Sequence, residues 1–92
     1  MGEVPKEYTL RQNYPNPFNP STVIEISLPH NGTTTLNVYN VLGQLVKTIE
    51  NGEMAAGNYD FTISMDKFAS GVYFYTLRQG SNSMTKKMIL LK

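Results

Sequence analysis

The chain is most strongly β-prone over one stretch, which reads Val72-Tyr73-Phe74-Tyr75-Thr76-Leu77-Arg78-Gln79. β-Branched and aromatic side chains favour strands because they pack well on a pleated, half-buried surface. Successive side chains of a strand point to opposite faces, and both faces of this stretch carry large apolar groups. We therefore predict a central strand that is covered on both sides.

Runs of similar character lie on both sides of this stretch, separated by glycine, proline and asparagine turns. Alternation of apolar and polar side chains with a period of two is typical of half-buried strands. The predicted strands cover residues 8–10, 22–28, 36–39, 45–50, 57–64, 72–79 and 83–91. About seven closely spaced strands without a helical pattern predict an all-β fold, an immunoglobulin-like antiparallel β-sandwich. A small closed barrel is the competing architecture.

Turn residues predict how the strands connect. Asn31-Gly32 accepts the positive φ angles of a tight turn, so we expect the strands before and after it to form a hairpin. Gly43 is expected to adopt the left-handed conformation, and Asn51-Gly52 to end the strand that starts at Leu45. Residues 65–69 are expected to form a one-turn helix or a loop.

Composition excludes several classes of chemistry. The 92 residues include one histidine, no cysteine and no tryptophan, which rules out disulfides, thiolate nucleophiles and cysteine-based metal sites. His30 lies in a predicted turn without a second ligand, and the acids lie in turns and at strand edges, where charges are usually solvated. We therefore expect no enzyme, no cofactor and no metal site, with calcium ligation by loop oxygens as an open alternative.

The charges are unevenly distributed along the chain. All seven acids lie in residues 1–66 with three of the cations, whereas residues 67–92 contain five cations and no acid. Five cations over this length are too dispersed to bind nucleic acid or an anionic membrane, so neither is an expected partner. The longest uninterrupted apolar run is Met88-Ile89-Leu90-Leu91. Because a membrane span needs about 18 apolar residues, we expect no membrane insertion.

Residues 4–21 hold four of the five prolines and are predicted to form an ordered extended or turning coil. Residues 10–22, which include most of this coil, are called here the proline-rich segment. Proline fixes φ and pushes the preceding residue out of the helical region, which excludes a helix. We expect a rigid loop with a structural role, formed by Asn16, Pro17, Phe18, Asn19 and Pro20, in which Phe18 inserts between the sheets. Either Tyr73 or Tyr75 is expected to hydrogen-bond back to the chain, as in the tyrosine corner of related sandwiches.

The proline-rich segment closely resembles the opening of the C-terminal sorting domains of the bacterial type IX secretion system, type A. Later landmarks of the family follow in the same order: Leu36-Asn37-Val38-Tyr39-Asn40, Gly43-Gln44, Ala69-Ser70-Gly71-Val72-Tyr73-Phe74-Tyr75 and the terminal residues 86–92. Among them, Gly43, Gly71, Val72 and Tyr73 are expected to have a structural role. The resemblance covers about residues 8–92. Many members carry a tryptophan or an acidic-glycine turn before the Ser-Gly motif, whereas this chain has Ile63-Ser64-Met65-Asp66.

The resemblance implies a single sorting domain over residues 3–92 at the C-terminus of a larger secreted protein, with residues 1–2 as a cloning remnant. It also implies an immunoglobulin-like fold similar to that of the flagellar hook-capping protein. The cargo would cross the periplasm, and the outer-membrane type IX translocon would recognise the domain and deliver the cargo to the cell surface. A sortase commonly removes the domain in this family, so the domain is an address label rather than an enzyme.

The terminal strand is the expected recognition element. It combines main-chain edge groups, apolar anchors and steering charge, which suits β-augmentation or groove docking by a receptor. The predicted recognition residues are Lys86, Lys87, Met88, Ile89, Leu90, Leu91 and Lys92. The alternative is that this strand merely completes the sandwich. The alternative function is an accessory β-sandwich of an extracellular enzyme, acting as a spacer or binding carbohydrate through exposed tyrosines such as Tyr39.

Overall fold

The computed structural model describes residues 4–92. Its regular elements are seven strands: β1 Thr9–Leu10, β2 Ser21–Leu28, β3 Gly32–Tyr39, β4 Leu45–Met54, β5 Gly57–Ser64, β6 Gly71–Gln79 and β7 Asn82–Leu90. The all-β prediction is therefore confirmed. Residues 4–92 contain no helical segment with the length and apolar character of a membrane span.

The strands form two antiparallel sheets that pack face to face. One sheet has three strands in the order β1-β2-β5, and the other has four in the order β4-β3-β6-β7. Their inner faces enclose the core, in which the largest fully buried side chains include Tyr75, Phe18 and Ile24. The predicted immunoglobulin-like β-sandwich is confirmed, since the strands divide between two sheets and do not close into one barrel.

Alternation along each strand builds the core from every second residue. In β2 the buried side chains are Thr22, Ile24, Ile26 and Leu28. In β6, Tyr73, Tyr75 and Leu77 face the core, as the period of two predicts. β6 is central, because β3 pairs with one of its edges and β7 with the other. However, Val72 and Phe74 on its outer face are only half-buried, so the predicted cover on both sides is wrong for that face.

The predicted hairpin around Asn31-Gly32 is also wrong. β2 belongs to the three-stranded sheet and β3 to the four-stranded sheet, so the chain crosses between the sheets at this point. Asn31 accepts a hydrogen bond from the N–H of Ala56 through its Oδ1 at 2.8 Å, which joins this crossover to the one between β4 and β5. An Asn-Gly pair marks a change of direction but does not specify which sheet the next strand enters.

The end predicted at Asn51-Gly52 does not occur. Asn51 pairs with Thr35 and Gly52 with Thr34, and β4 continues to Met54. β4 is an edge strand, where irregular pairing and glycine are tolerated more easily than in the middle of a sheet. By contrast, Gly43 has the predicted positive φ, at 80°. Residues 65–69 form a loop rather than a helix.

Candidate functional site

The terminal strand β7 lies at the edge of the four-stranded sheet and divides its side chains between two faces. Met88 lies opposite Tyr73 in β6, and Leu90 lies opposite Gly71. Both Met88 and Leu90 have 0% exposure and belong to the core. Two of the seven predicted recognition residues are therefore inaccessible to a partner while the domain stays folded.

The alternate side chains of this region point away from the core. Lys87 is exposed, Ile89 is half-buried and Leu91 is 52% exposed. Lys92 is exposed and donates from Nζ to the carbonyl oxygen of Asp66. Lys86 lies in phase with the inward residues and is half-buried. The terminal residues therefore present a mixed surface of lysine and aliphatic groups.

Two side chains of the proline-rich segment bind the outer edge of β7. Gln12 donates from Nε2 to the carbonyl oxygen of Lys87 at 2.7 Å. Asn16 accepts from the N–H of Ile89 through its Oδ1 at 3.0 Å. Because β7 pairs with β6 on its other side, these contacts occupy edge groups that would otherwise be open to another chain.

The main chain of Phe18 continues this cover. Its N–H donates to the carbonyl oxygen of Ile89 at 3.0 Å, and its carbonyl oxygen accepts from the N–H of Leu91 at 2.9 Å. β-Augmentation along this part of the edge would require the proline-rich segment to leave. Along this covered part of the edge, the folded domain permits docking through side chains.

The loop of residues 16–20 fastens the two sheets to each other. Phe18 is 2% exposed and lies in the core cluster, as predicted for a side chain inserted between the sheets. Pro20 accepts from the N–H of Met65 at 2.9 Å. Pro17 and Asn19 are exposed and hold the turn at the surface. The loop thus has structural contacts on both of its sides.

A buried polar network supports the start of the same segment. The hydroxyl of Tyr75 donates to the carbonyl oxygen of Arg11 at 2.7 Å and accepts from the N–H of Asn13 at 2.7 Å. Asn13 is 1% exposed and donates from Nδ2 to Oγ1 of Thr22 at 3.0 Å. Burial raises the pKa of Tyr75 above its ordinary value, and the hydrogen bond from Asn13 partly opposes that rise. The neutral hydroxyl can bridge the two main-chain groups only while it keeps its proton.

Tyr73 forms the local contact expected of a tyrosine corner. Its hydroxyl donates to the carbonyl oxygen of Ala69 at 2.6 Å, four residues upstream. Tyr75 instead reaches a segment far away in the sequence. Gly71, at the start of β6, has φ 150°, a conformation that residues with a Cβ rarely adopt.

Two open clefts lie elsewhere on the sandwich. The first, about 420 Å³, is lined by residues that include Tyr8, His30 and Gln79, with no carboxylate among them. The second, about 310 Å³, lies between β4 and β5 and includes Ile49 and Phe61. Neither cleft brings His30 and a carboxylate together. Within residues 4–92, no three histidine, cysteine or acidic side chains are grouped as metal ligands would be.

A family model described as the secretion system C-terminal sorting domain matches residues 12–91. No curated protein matches the chain. The matched residues include the loop of residues 16–20, the Gly71-Val72-Tyr73 step and the whole of β7. Domains of this family are generally non-catalytic. The chain therefore belongs to the family of C-terminal sorting domains of type IX secretion.

Proposed function

We propose that residues 3–92 are a single, non-catalytic sorting domain of a larger cargo protein, read by the outer-membrane type IX translocon after transit through the periplasm. A sortase then separates the domain from the cargo at the cell surface. Family membership supports the general part of this proposal, a C-terminal signal for export toward the cell surface. The translocon and the sortase are the proposed partners.

The observation that carries the proposal is that the terminal residues divide into buried side chains and side chains exposed to solvent. Met88 and Leu90 complete the core, whereas Lys87, Leu91 and Lys92 extend into solvent beside an edge that the proline-rich segment already covers. Leu91 is 52% exposed next in sequence to the exposed cation Lys92, and the exposed Lys87 lies four residues before it, so the end of the chain presents an aliphatic group together with positive charge, which supports recognition by a receptor. We propose that these outward side chains are the part of residues 86–92 that the translocon reads.

The basic test is a reporter fusion. Residues 3–92 are joined to the C-terminus of a fluorescent protein that carries a periplasmic signal, in a host that possesses the translocon. We expect the reporter at the cell surface, and a reporter without residues 3–92 in the periplasm. Retention of the complete fusion in the periplasm would contradict the proposed function.

Substitution separates recognition from folding better than truncation does. Deleting residues 86–92 removes Met88 and Leu90, and loss of each such buried side chain costs about 2–5 kcal/mol. The double variant Lys87→Ser with Leu91→Ser changes only exposed positions and should leave the fold intact. We expect it to reduce surface delivery. The matched control is Val4→Ser with Lys6→Ser, which removes one exposed aliphatic and one exposed cationic side chain elsewhere.

Sortase removal is tested on the delivered protein. We expect the surface-exposed reporter to lose the mass of the domain, about 10 kDa of the fusion, and mass spectrometry of its new C-terminus to locate the cleavage. An intact fusion at the surface would refute removal while leaving the sorting function in place.

The alternative function is carbohydrate binding by an accessory sandwich. Tyr39, for which an exposed ring was predicted, is half-buried, so the stacked pair in β5 is the platform to test. Tyr59 and Phe61 are stacked in β5, with ring centroids 6.4 Å apart and an angle of 19° between the planes. Both rings pack against the core, however, which leaves little of their faces for a sugar. Co-precipitation of the 92-residue chain with insoluble polysaccharides, weakened by Tyr59→Ala, would favour this alternative.

A further inference from the structure

The outer face of the four-stranded sheet carries large apolar side chains that the core does not use. In β3, β6 and β7 the residues out of phase with the core include Tyr39, Phe74 and Ile89, which are half-buried. An antiparallel sheet with one solvated face usually presents polar side chains there. The outer face of the three-stranded sheet is mostly polar: Glu25 and Ser27 of β2 lie opposite Asp60 and Asn58 of β5, and Val23 is the apolar residue among them. The two outer faces of the sandwich therefore differ in character.

Strand register brings the apolar side chains together. Tyr39 lies opposite Leu45 in β4 and opposite Phe74 in β6, and Phe74 lies opposite Lys87 in β7. Directly opposed residues on one face have Cβ atoms about 4.5–5.5 Å apart, so these four side chains form a row across the sheet. Val72 and Ile89 are opposed in the next row of the same face.

The turn of residues 40–44 extends this surface beyond the strands. Val41 is 66% exposed and Leu42 is 78% exposed, and Leu45, which follows the turn, is 54% exposed. The turn is held firmly, because Asn40 accepts from the N–H groups of Leu42 and Gln44 through its Oδ1 at 2.9 and 3.0 Å. The apolar groups are thus presented on a fixed scaffold rather than on a loose loop. Rigid presentation lowers the entropic cost of binding.

The register places one cation, Lys87, in the apolar row, whereas Glu53, an acid on the same outer face, lies opposite Thr33 near the far ends of β3 and β4. The single ion pair within residues 4–92 joins Arg11 and Glu25, so neither Lys87 nor Lys92 contacts a carboxylate within that part of the chain. No acid follows Asp66 in the sequence. Recognition of an anionic membrane uses clusters of about four to eight cations, more than this face offers. A protein interface instead favours aromatic groups at its centre with charges at its rim.

We infer that the outer face of the four-stranded sheet, from Leu45 through Tyr39 and Phe74 to Ile89, is a docking surface for a protein. The partner's contact surface has an apolar centre and an acidic group opposite Lys87. The inference rests on the proposed sorting function. It extends the surface proposed for recognition from the terminal strand across the whole four-stranded sheet. The protein that docks here belongs to the secretion machinery that handles the cargo.

The test uses a matched pair of substitutions in the reporter fusion. Val72→Thr and Val23→Thr change the same half-buried side chain on the outer faces of the two opposite sheets. We expect Val72→Thr to reduce surface delivery and Val23→Thr to leave it unchanged. Phe74→Thr should reduce delivery about tenfold or more, as loss of a central aromatic contact does at interfaces. Phe74→Tyr, which keeps the ring, should restore most of it.

A charge variant and a stability measurement complete the design. Lys87→Glu should reduce delivery and Lys87→Arg should retain it, because the partner's rim is acidic. Each variant of the 92-residue chain is also unfolded in urea, and only variants whose midpoint equals that of the original chain are compared. Normal delivery of a stable Phe74→Thr variant would overturn the docking surface alone. Retention of the unsubstituted fusion would overturn the sorting function and this inference together.

Two measurements on the 92-residue chain distinguish other occupants. Co-sedimentation with vesicles of equal parts phosphatidylcholine and phosphatidylglycerol should show no binding. Sedimentation equilibrium should show a monomer. Vesicle binding or a dimer that Phe74→Thr abolishes would assign the face to lipid or to a second copy and overturn the inference of a protein partner.

Discussion

The main chain of Phe18 is hydrogen-bonded to the residues on both sides of Leu90, in a parallel bridge that joins the proline-rich segment to the terminal strand. Phe18 and Leu90 are 2% and 0% exposed, so the bridge also places two core side chains next to each other in the fold. The two segments that the family motifs mark at opposite ends of the chain are thus one structural unit.

Phe18→Ala should lower the free energy of unfolding by about 3–5 kcal/mol, because a buried ring leaves a cavity that the rigid loop cannot fill. The midpoint of urea unfolding measures the loss. Leu42→Ala, at a 78% exposed position, is the control and should change stability by no more than about 0.5 kcal/mol. Loss of secretion at unchanged stability would show that Phe18 contacts a receptor instead.

Tyr75→Phe should cost about 1–3 kcal/mol, since removal of the hydroxyl leaves the N–H of Asn13 and the carbonyl of Arg11 without their shared partner. Tyr14→Phe removes the hydroxyl of a 69% exposed side chain and should have almost no effect. Equal unfolding midpoints for the two variants would contradict this prediction.

Stability should fall at high pH because burial raises the pKa of Tyr75 above the value of about 10 that it has in the unfolded chain. Below that value the hydroxyl is protonated in both states and contributes no pH dependence. Above it the unfolded state releases the proton first, so the free energy of unfolding decreases by up to about 1.4 kcal/mol per pH unit until the folded pKa is passed. When the free energy of unfolding is measured with urea at several pH values in this range, it should decrease less with pH for Tyr75→Phe than for the original chain.

Gly71→Ala should destabilise the domain by about 1–3 kcal/mol through backbone strain alone, because φ is 150° and an added Cβ meets no atom within 4 Å. Gly52→Ala is the matched control, since it has equally open space without a positive φ. Similar thermal midpoints for both variants would contradict the assignment of strain to Gly71.

Met88→Ala should cost about 2–5 kcal/mol and Leu91→Ala less than about 1 kcal/mol, because the first side chain is fully buried and the second is 52% exposed. We expect Leu91→Ala to reduce surface delivery more than Met88→Ala does, when delivery is compared for equal amounts of folded protein. A larger loss of stability for Leu91→Ala would mean that the phase of the terminal strand differs from the one described.

Periodicity in the sequence was sufficient to predict the strands and most of the core. Ile24, Ile26 and Leu28 occur at every second position, and the structure buries all three. The predictions that failed are those of how the strands connect and where one of them ends. Asn31-Gly32 joins two different sheets instead of forming a hairpin, and Asn51-Gly52 lies inside a strand. A dipeptide records a local backbone preference, whereas sheet membership depends on partners far away in the chain.

The candidate site was predictable only in part, for the same reason. Alternation alone already places Met88 and Leu90 on one face of the terminal strand and Ile89 on the other. The cover of its edge by Gln12 and Asn16 was not predictable, because these hydrogen bonds join residues more than 70 positions apart. The outer face that contains Tyr39 and Phe74 could have been found from the apolar residues at the alternate, outward-pointing positions of each strand. A search for core residues considers only the inward-pointing positions.

The parallel bridge at Leu90 also determines how the domain carries mechanical load. The proline-rich segment runs alongside β7 in the same direction, so a pull on the chain before Leu10 against a hold at Lys92 draws the two segments past each other. The bonds made by Gln12, Asn16 and Phe18 then bear the force together in shear instead of opening one after another. A force applied between the chain before Leu10 and the terminal residues would act along this line, where side-chain and main-chain hydrogen bonds join the two segments.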